Sequence, residues 1–485
     1  SGLCDFAKAT ELCTQAMEIR KMVLGETHLD YVLSLDHLAN YCQGLGYYDK
    51  AVELGIQVKK IRKQLLGESH PDYATSLNNL ASYYSNLGDY SKAVDLGTQA
   101  LEVFKRVLGE THPDYATSLS SLAWCYSGLG DFTKAIELCT QAMEIRKQLL
   151  GETHPRFGSS LMDLSVFYFD LGDYAKAIEL GTQAMEICKQ VLGETHPNYA
   201  TSLGNLAQYY SDLGDYSKAI DLCTQAMEIR KEALGESHPF YASSLGELAS
   251  YYSGLGDYDK AIELVSHAVS LLKQMLGETH PDYATSLNIL ANCYSCLGDY
   301  SKAVQIGTQT KEIRKQVYGD SHPDYAASLD NLSLYYSDLG DNSKAVELCT
   351  QALKIQRQVL GESHPSYAIS LSNLATYNYR KGDYGEAYKL QLNCVKHKKE
   401  IVLSQFKGAT NRTRETFWDK NKFEFAELPS CCLKAGDMES NGEVYDNSAL
   451  FAKGLLLNTE TSLRDLILES GDSAAVKQFD AMQMI

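Results

Sequence analysis

No run of 18 apolar residues occurs anywhere in the 485-residue chain, which excludes a membrane-spanning helix. Positive charge is short as well: 44 Lys and Arg stand against 62 Asp and Glu, a formal charge of −18. That balance argues against nucleic acid or an anionic membrane as partner, since both need a cationic surface to displace their counterions. No G-x-x-x-x-G-K-[ST], no G-x-G-x-x-G after a strand and no H-E-x-x-H is present, so no phosphate, dinucleotide or zinc-peptidase site is written into the chain. No signal peptide is evident. Of the thirteen cysteines, the one pair at metal spacing, Cys293-x-x-Cys296, lies mid-helix and lacks a second pair. The cysteines read as reduced packing residues, which places the chain in the cytoplasm. No cofactor, metal or catalytic residue is expected.

What is present is repetition. Residues 71–112 return every 42 residues, and the closing histidine falls at His28, His70, His112, His154, His196, His238, His280, His322 and His364. A fixed period of this size signals a stacked repeat array. Within one unit, Tyr73, Leu77, Leu80, Ala81, Tyr84 and Leu87 recur at helical spacing. A second such run is Tyr90, Ala93, Val94, Ala100, Leu101, Phe104, Val107 and Leu108. Gly88-Asp89 interrupts the two, Gly109 stops the second, and Pro71 sits just inside the first. Each unit is therefore a helical hairpin, helix A near 71–86 and helix B near 90–108. Two caps compete at the start of helix A: a capping box from Ser69 to Asp72, and His70 itself.

The pattern Leu80-Ala81-x-x-Tyr84 followed by Ala93 and Ala100 resembles the tetratricopeptide repeat, and the long helix B with its G-E-[ST]-H-P-D-Y linker resembles the 42-residue variant of kinesin light chains. The resemblance covers about residues 1–407. It implies an all-α fold, a right-handed solenoid of antiparallel helix pairs followed by a small helical C-terminal region. Its function would be that of a protein-interaction scaffold. Residues 1–28 match 127–154 and begin inside a unit, so they read as a partial repeat, helix B only, cut at residue 1. Eight full hairpins follow over 29–364, then a degenerate terminal one over 365–407. Where the family often carries an aromatic in helix B, this chain has Gly97, Gly181 and Gly307, or Cys139, Cys223 and Cys349. Small residues there predict closer helix approach.

Columns of the array that vary between copies point to a ligand. Leu77, Leu80 and Gly88 are unchanged in all nine hairpins, whereas three helix A columns scatter. One contains Asp36, Asn78, Met162, Asn288 and Asp330; the next His37, Asn79, Asp163, Asn205, Glu247, Asn331 and Asn373; the third Asn40, Ser82, Trp124, Gln208 and Asn292. In the repeat family these positions line the concave groove that holds peptides. The outer face of helix B, expected to be equally exposed, keeps an E-I-R-K character in several copies, so free drift is not the whole explanation. Apart from Arg156 and Arg380, helix A carries no Lys or Arg, so the partner is expected to be a neutral or basic protein or peptide segment. The oligomeric state is not written in the sequence.

Charge reverses after the array: eleven Lys and Arg against five Asp and Glu lie between Arg380 and Lys422, either a solvated helix end or a docking surface. Beyond 408 the repeat is gone. Arg414–Leu428 reads as a helix with Phe417, Trp418, Phe423 and Phe425, 429–442 as a loop, and 444–457, 461–469 and 473–485 as helices. Residues 445–472 resemble the segment that precedes the peptidase in TPR–CHAT proteins, caspase-like enzymes. This implies a regulatory arm whose peptidase would lie beyond residue 485; a free-standing adaptor of kinesin-light-chain type is the alternative.

Overall fold

The computed structural model describes residues 2–405 and 425–436, and among them every regular element is an α-helix. The chain divides into two compact units, Ser1–His364 and Pro365–Ile485. A single helix, Gly2–Leu24, opens the first unit. Eight hairpins follow: Leu29–Gly44 with Tyr48–Leu66, Pro71–Asn86 with Tyr90–Leu108, Pro113–Gly128 with Phe132–Leu150, and Pro155–Leu171 with Tyr174–Leu192. The next four are Pro197–Asp212 with Tyr216–Leu234, Pro239–Leu255 with Tyr258–Leu276, Pro281–Leu297 with Tyr300–Tyr318, and Pro323–Asp338 with Asn342–Val359. In each, the first member is helix A and the second helix B.

The punctuation works as its chemistry requires. Of the two candidate caps, histidine is the one used. In all eight hairpins its Nδ1 accepts the backbone N–H two residues on, at 3.0–3.2 Å. Ser69 instead accepts a hydrogen bond from Arg106 at 3.4 Å. Gly88 and Gly109 take φ of 80° and 85°, conformations that only glycine adopts without strain. The leucine columns of Leu77 and Leu80 are buried in every hairpin, where they form the repeating core.

Each helix packs on its successor, and several helices A also touch the helix A one hairpin along, which sets the row of helices A on the inside of the bend. The small helix B residues make that stacking close. A Cβ on Gly55 would lie 2.9 Å from the ring of Tyr83, and one on Gly307 equally near Tyr335. Volume is exchanged across the junction, for where helix B carries Val265 its neighbour is Cys293.

The second unit contains the ninth hairpin, Pro365–Lys381 with Tyr384–Gln405. A helix over 425–435 packs against it, with Phe425, Leu428, Cys431 and Cys432 buried beside Tyr388 and Val395. The loop expected from Pro429 is thus helical as far as 435. Burial of the stripe Leu428, Cys431 and Cys432 outweighs the backbone bond that proline removes. The helices expected at 444–457, 461–469 and 473–485, the aromatics Phe417, Trp418 and Phe423, and the 445–472 stretch lie outside the described residues.

Candidate functional site

The row of helices A carries a ladder of side-chain hydrogen bonds between hairpins. Asn79 donates to Asp36 at 3.1 Å, Asn205 to the Met162 sulfur at 3.0 Å and Asn331 to Asn288 at 2.9 Å. A second rail joins tyrosines to the preceding copy: Tyr83 to Asn40 at 2.8 Å, Tyr251 to Gln208 at 3.4 Å, and Tyr335 to Asn292. Two of the three variable columns therefore pair with each other across the stack, and a change in one copy is met by a change in the next.

The third column stays exposed, although its Asn40, Gln208 and Asn292 carbonyls accept the tyrosine rail. Asn40, Ser82, Trp124, Gln208, Ser250, Asn292 and Leu334 are all exposed, as is His37. Asn78, Asn79, Asp163, Asn205, Glu247, Asn288, Asp330, Asn331 and Asn373 are half-buried. At one junction both packing partners are small, Gly97 on helix B and Cys125 on the next helix A. A cavity of about 430 Å³ opens there, lined also by Asn78, Ser82, Tyr90, Ser121 and Trp124. Leu122 closes on the glycine, 3.0 Å from where a Gly97 Cβ would lie, and the recess opens beside that close approach. Trp124 stands at its rim, 43% exposed, edge-on to Phe167 at 4.9 Å. Burial pushes the Cys125 thiol up to about 12, which leaves it protonated and a poor nucleophile.

The carboxylates of this face are not free for a ligand. Asp36 is paired with Arg62 at 2.9 Å, Glu247 lies 3.7 Å from Arg230, and Asp330 accepts a hydrogen bond from Gln356 at 2.8 Å. Asp163 accepts the Trp124 indole N–H and sits near Arg146. The arginines stand at the E-I-R-K position of helix B (K-I-R-K at Arg62), taken from the sequence as an exposed face. Arg62, Arg146 and Arg230 are in fact buried at 6%, 9% and 7% exposure, so packing accounts for their uniformity. The sequence signal for them was that same uniformity.

Burial raises the Asp163 pKa to about 6, against the pull of Arg146 and the indole hydrogen bond. A raised carboxylate pKa means that the folded chain binds the proton more tightly than the unfolded one. Stability from this group is then present at low pH and lost as pH rises from about 4 to about 6. Asp163→Asn should therefore raise unfolding stability by about 2 kcal/mol at pH 7.5. The gain should fade by pH 4, as urea midpoints at the two pH values would show. An equal gain at both would contradict the assignment.

Among the described residues, no group of three His, Cys, Asp or Glu side chains is placed to hold a metal ion, and no helix is long and apolar enough to cross a membrane. Tetratricopeptide-repeat models match residues 33–106, 96–148, 157–232, 213–274, 241–316 and 326–366, more than half of the chain. No curated protein matches it. Among solved structures, it is similar to the nearly identical TPR-like repeats of a Podosopora anserina kinesin light chain. That match has 29% identity over 44% of this chain and 99% of the other, with a TM-score of 0.37. BtubC (BKLC) from P. vanneervenii matches at 21% identity over 48% and 91%, with a TM-score of 0.38. A Rap protein complexed with competence and sporulation factor matches at 15% over 80% and 99%, with a TM-score of 0.46.

Proposed function

We propose, from the premise that the chain belongs to the tetratricopeptide-repeat family, that its helix A face grips an extended protein segment. The exposed third column and the recess beside Trp124 carry this reading. Asn40 and Asn292, whose carbonyls already accept from the tyrosine rail, offer their amide N–H groups to a peptide backbone, and the indole anchors one apolar side chain in the recess. Asp36, Asp163 and Glu247 each have a helix B arginine nearby and Asp330 a glutamine, so little of the local negative charge is left unmatched. The −18 of the whole chain favours approach of neutral or basic partners and disfavours acidic ones.

The more specific form of the proposal makes the array the sensing arm of a TPR–CHAT protein, on the strength of the 445–472 resemblance. Free thiols, nine of the twelve described ones buried, suit a reducing cytoplasm. A peptide-array screen tests the partner chemistry. Neutral and basic extended peptides with one large apolar residue should dominate the binders, and a majority of acidic peptides would overturn the proposal.

A further inference from the structure

Within the first unit the array winds back on itself. The turn between helices A and B of the first hairpin meets the start of the seventh hairpin, where a Cβ on Gly46 would lie 3.0 Å from Pro281. The second hairpin meets the eighth in the same way, with a Cβ on Gly88 only 2.5 Å from Pro323. The third reaches the last linker of the unit, where His364 makes a backbone hydrogen bond with Gly128. The packing is thus made three times, always six hairpins along, while the histidine-to-carbonyl bond is made at His322 and His364, and the His280 Nε2 is buried there without a hydrogen-bond partner.

The contact changes the state of otherwise equivalent residues. The His28, His70 and His112 side chains are 46%, 42% and 39% exposed, but those of His280 and His322 only 10% and 6%. The leucine before the turn glycine is half-buried at Leu45, Leu87 and Leu129 of the seam and at Leu171, and exposed at Leu213, Leu255, Leu297 and Leu339. A sequence departure falls on the same seam. Every other copy of the first unit has leucine at this position, whereas the seventh has Tyr318, which stacks on Tyr48 at 5.8 Å and on His322 at 4.2 Å.

His322 shows what the seam demands of the ring. Nδ1 accepts the Asp324 N–H at 3.0 Å, so Nε2 holds the proton and donates it to the Asn86 carbonyl at 3.1 Å. Only the neutral ring satisfies both partners, because a second proton at Nδ1 would face the helix N–H it now caps. We propose that His280, His322 and His364 are a latch that holds successive turns of the array together while neutral, and that mild acid releases it, lengthening the array without melting its hairpins.

The surrounding charges are mixed. Burial dominates at all three histidines, pushing each downward and His364 to about 4. Arg314 adds to this at His322; Asp324, Asp49 and the Asn86 carbonyl oppose it, as Asp282 does at His280 and Gly128 at His364. Since the latched pKa values are depressed, the latch is whole above the ordinary histidine range near 6.5 and weakens as pH falls below it. This inference is independent of what the helix A face binds.

Small-angle X-ray scattering of the full chain from pH 7.5 to 5.5, above the sequence pI of about 5.1, reads the release directly. The maximum dimension should step up below about pH 6.5 while far-ultraviolet circular dichroism stays constant. Asparagine keeps an N-cap but does not titrate in this range. His280→Asn, His322→Asn and His364→Asn together should therefore abolish the step, and His28→Asn, His70→Asn and His112→Asn should leave it in place. Tyr318→Leu, the residue of the other copies in the first unit, should move the step to higher pH. A flat profile in the native chain, a step that survives in the latch variant, or a step accompanied by loss of helix would overturn the proposal.

Discussion

Asp36→Ala should cost the first two hairpins about 3–5 kcal/mol of stability, a large effect for one side chain in a repeat array. Its carboxylate and the Arg62 guanidinium are 12% and 7% exposed and 2.9 Å apart. Asn79 donates to the same carboxylate from the next hairpin, and Arg62 also reaches the Asp72 carbonyl at 3.3 Å. Three helices are tied by this network, and removing the anion leaves a cation out of water with too few acceptors. Replacing both partners by apolar residues, Asp36→Leu with Arg62→Met, should return most of the loss, because the desolvation penalty goes with the pair. The linker pairs are the contrast. Lys189–Glu194 is half exposed at the lysine and more so at the glutamate, and removing it should cost at most about 1 kcal/mol. Denaturant midpoints, with hydrogen exchange to place the loss in residues 29–108, would check this. A loss below about 1 kcal/mol for Asp36→Ala would mean that the pair is not the buried tie described.

Trp124→Ser should weaken peptide binding by about 2 kcal/mol or more, roughly thirty-fold, and leave the fold intact. The second and sixth copies carry Ser82 and Ser250 at this position, so the helix accepts the change. What is lost is the indole at the rim of the recess. Its orientation is fixed by Phe167 and by the indole hydrogen bond to Asp163, so little entropy is lost when a ligand meets it.

The helices were readable almost to the residue, 71–86 and 90–108, because glycine, proline and histidine punctuate the same positions again and again. The exposed third column was readable too, since a helix A position free of packing constraint varies between copies. The other two columns misled in part. Asp36 and Asn79 are 43 residues apart and differ from copy to copy because they match each other, a relation that a column read singly does not show. The arginines of E-I-R-K were assigned to solvent because residue type suggested it, whereas long stems let Arg62, Arg146 and Arg230 cross under the groove. The meeting of first and seventh hairpins depends on the small rotation added at each stacking step, which no periodicity encodes. Helix formation past Pro429 likewise rests on burial against Tyr388 and Val395, contacts distant in sequence.

The central claim is that the helix A face holds the partner. Hydrogen–deuterium exchange of the full chain, with and without a peptide taken from the array screen, tests it most directly. The account predicts that slowed exchange on binding concentrates in Pro71–Asn86 and Pro113–Gly128, around the recess, and that Trp124→Ser removes it at the same peptide concentration. Protection confined to helices B such as Tyr90–Leu108 and Phe132–Leu150, unchanged in the variant, would contradict it.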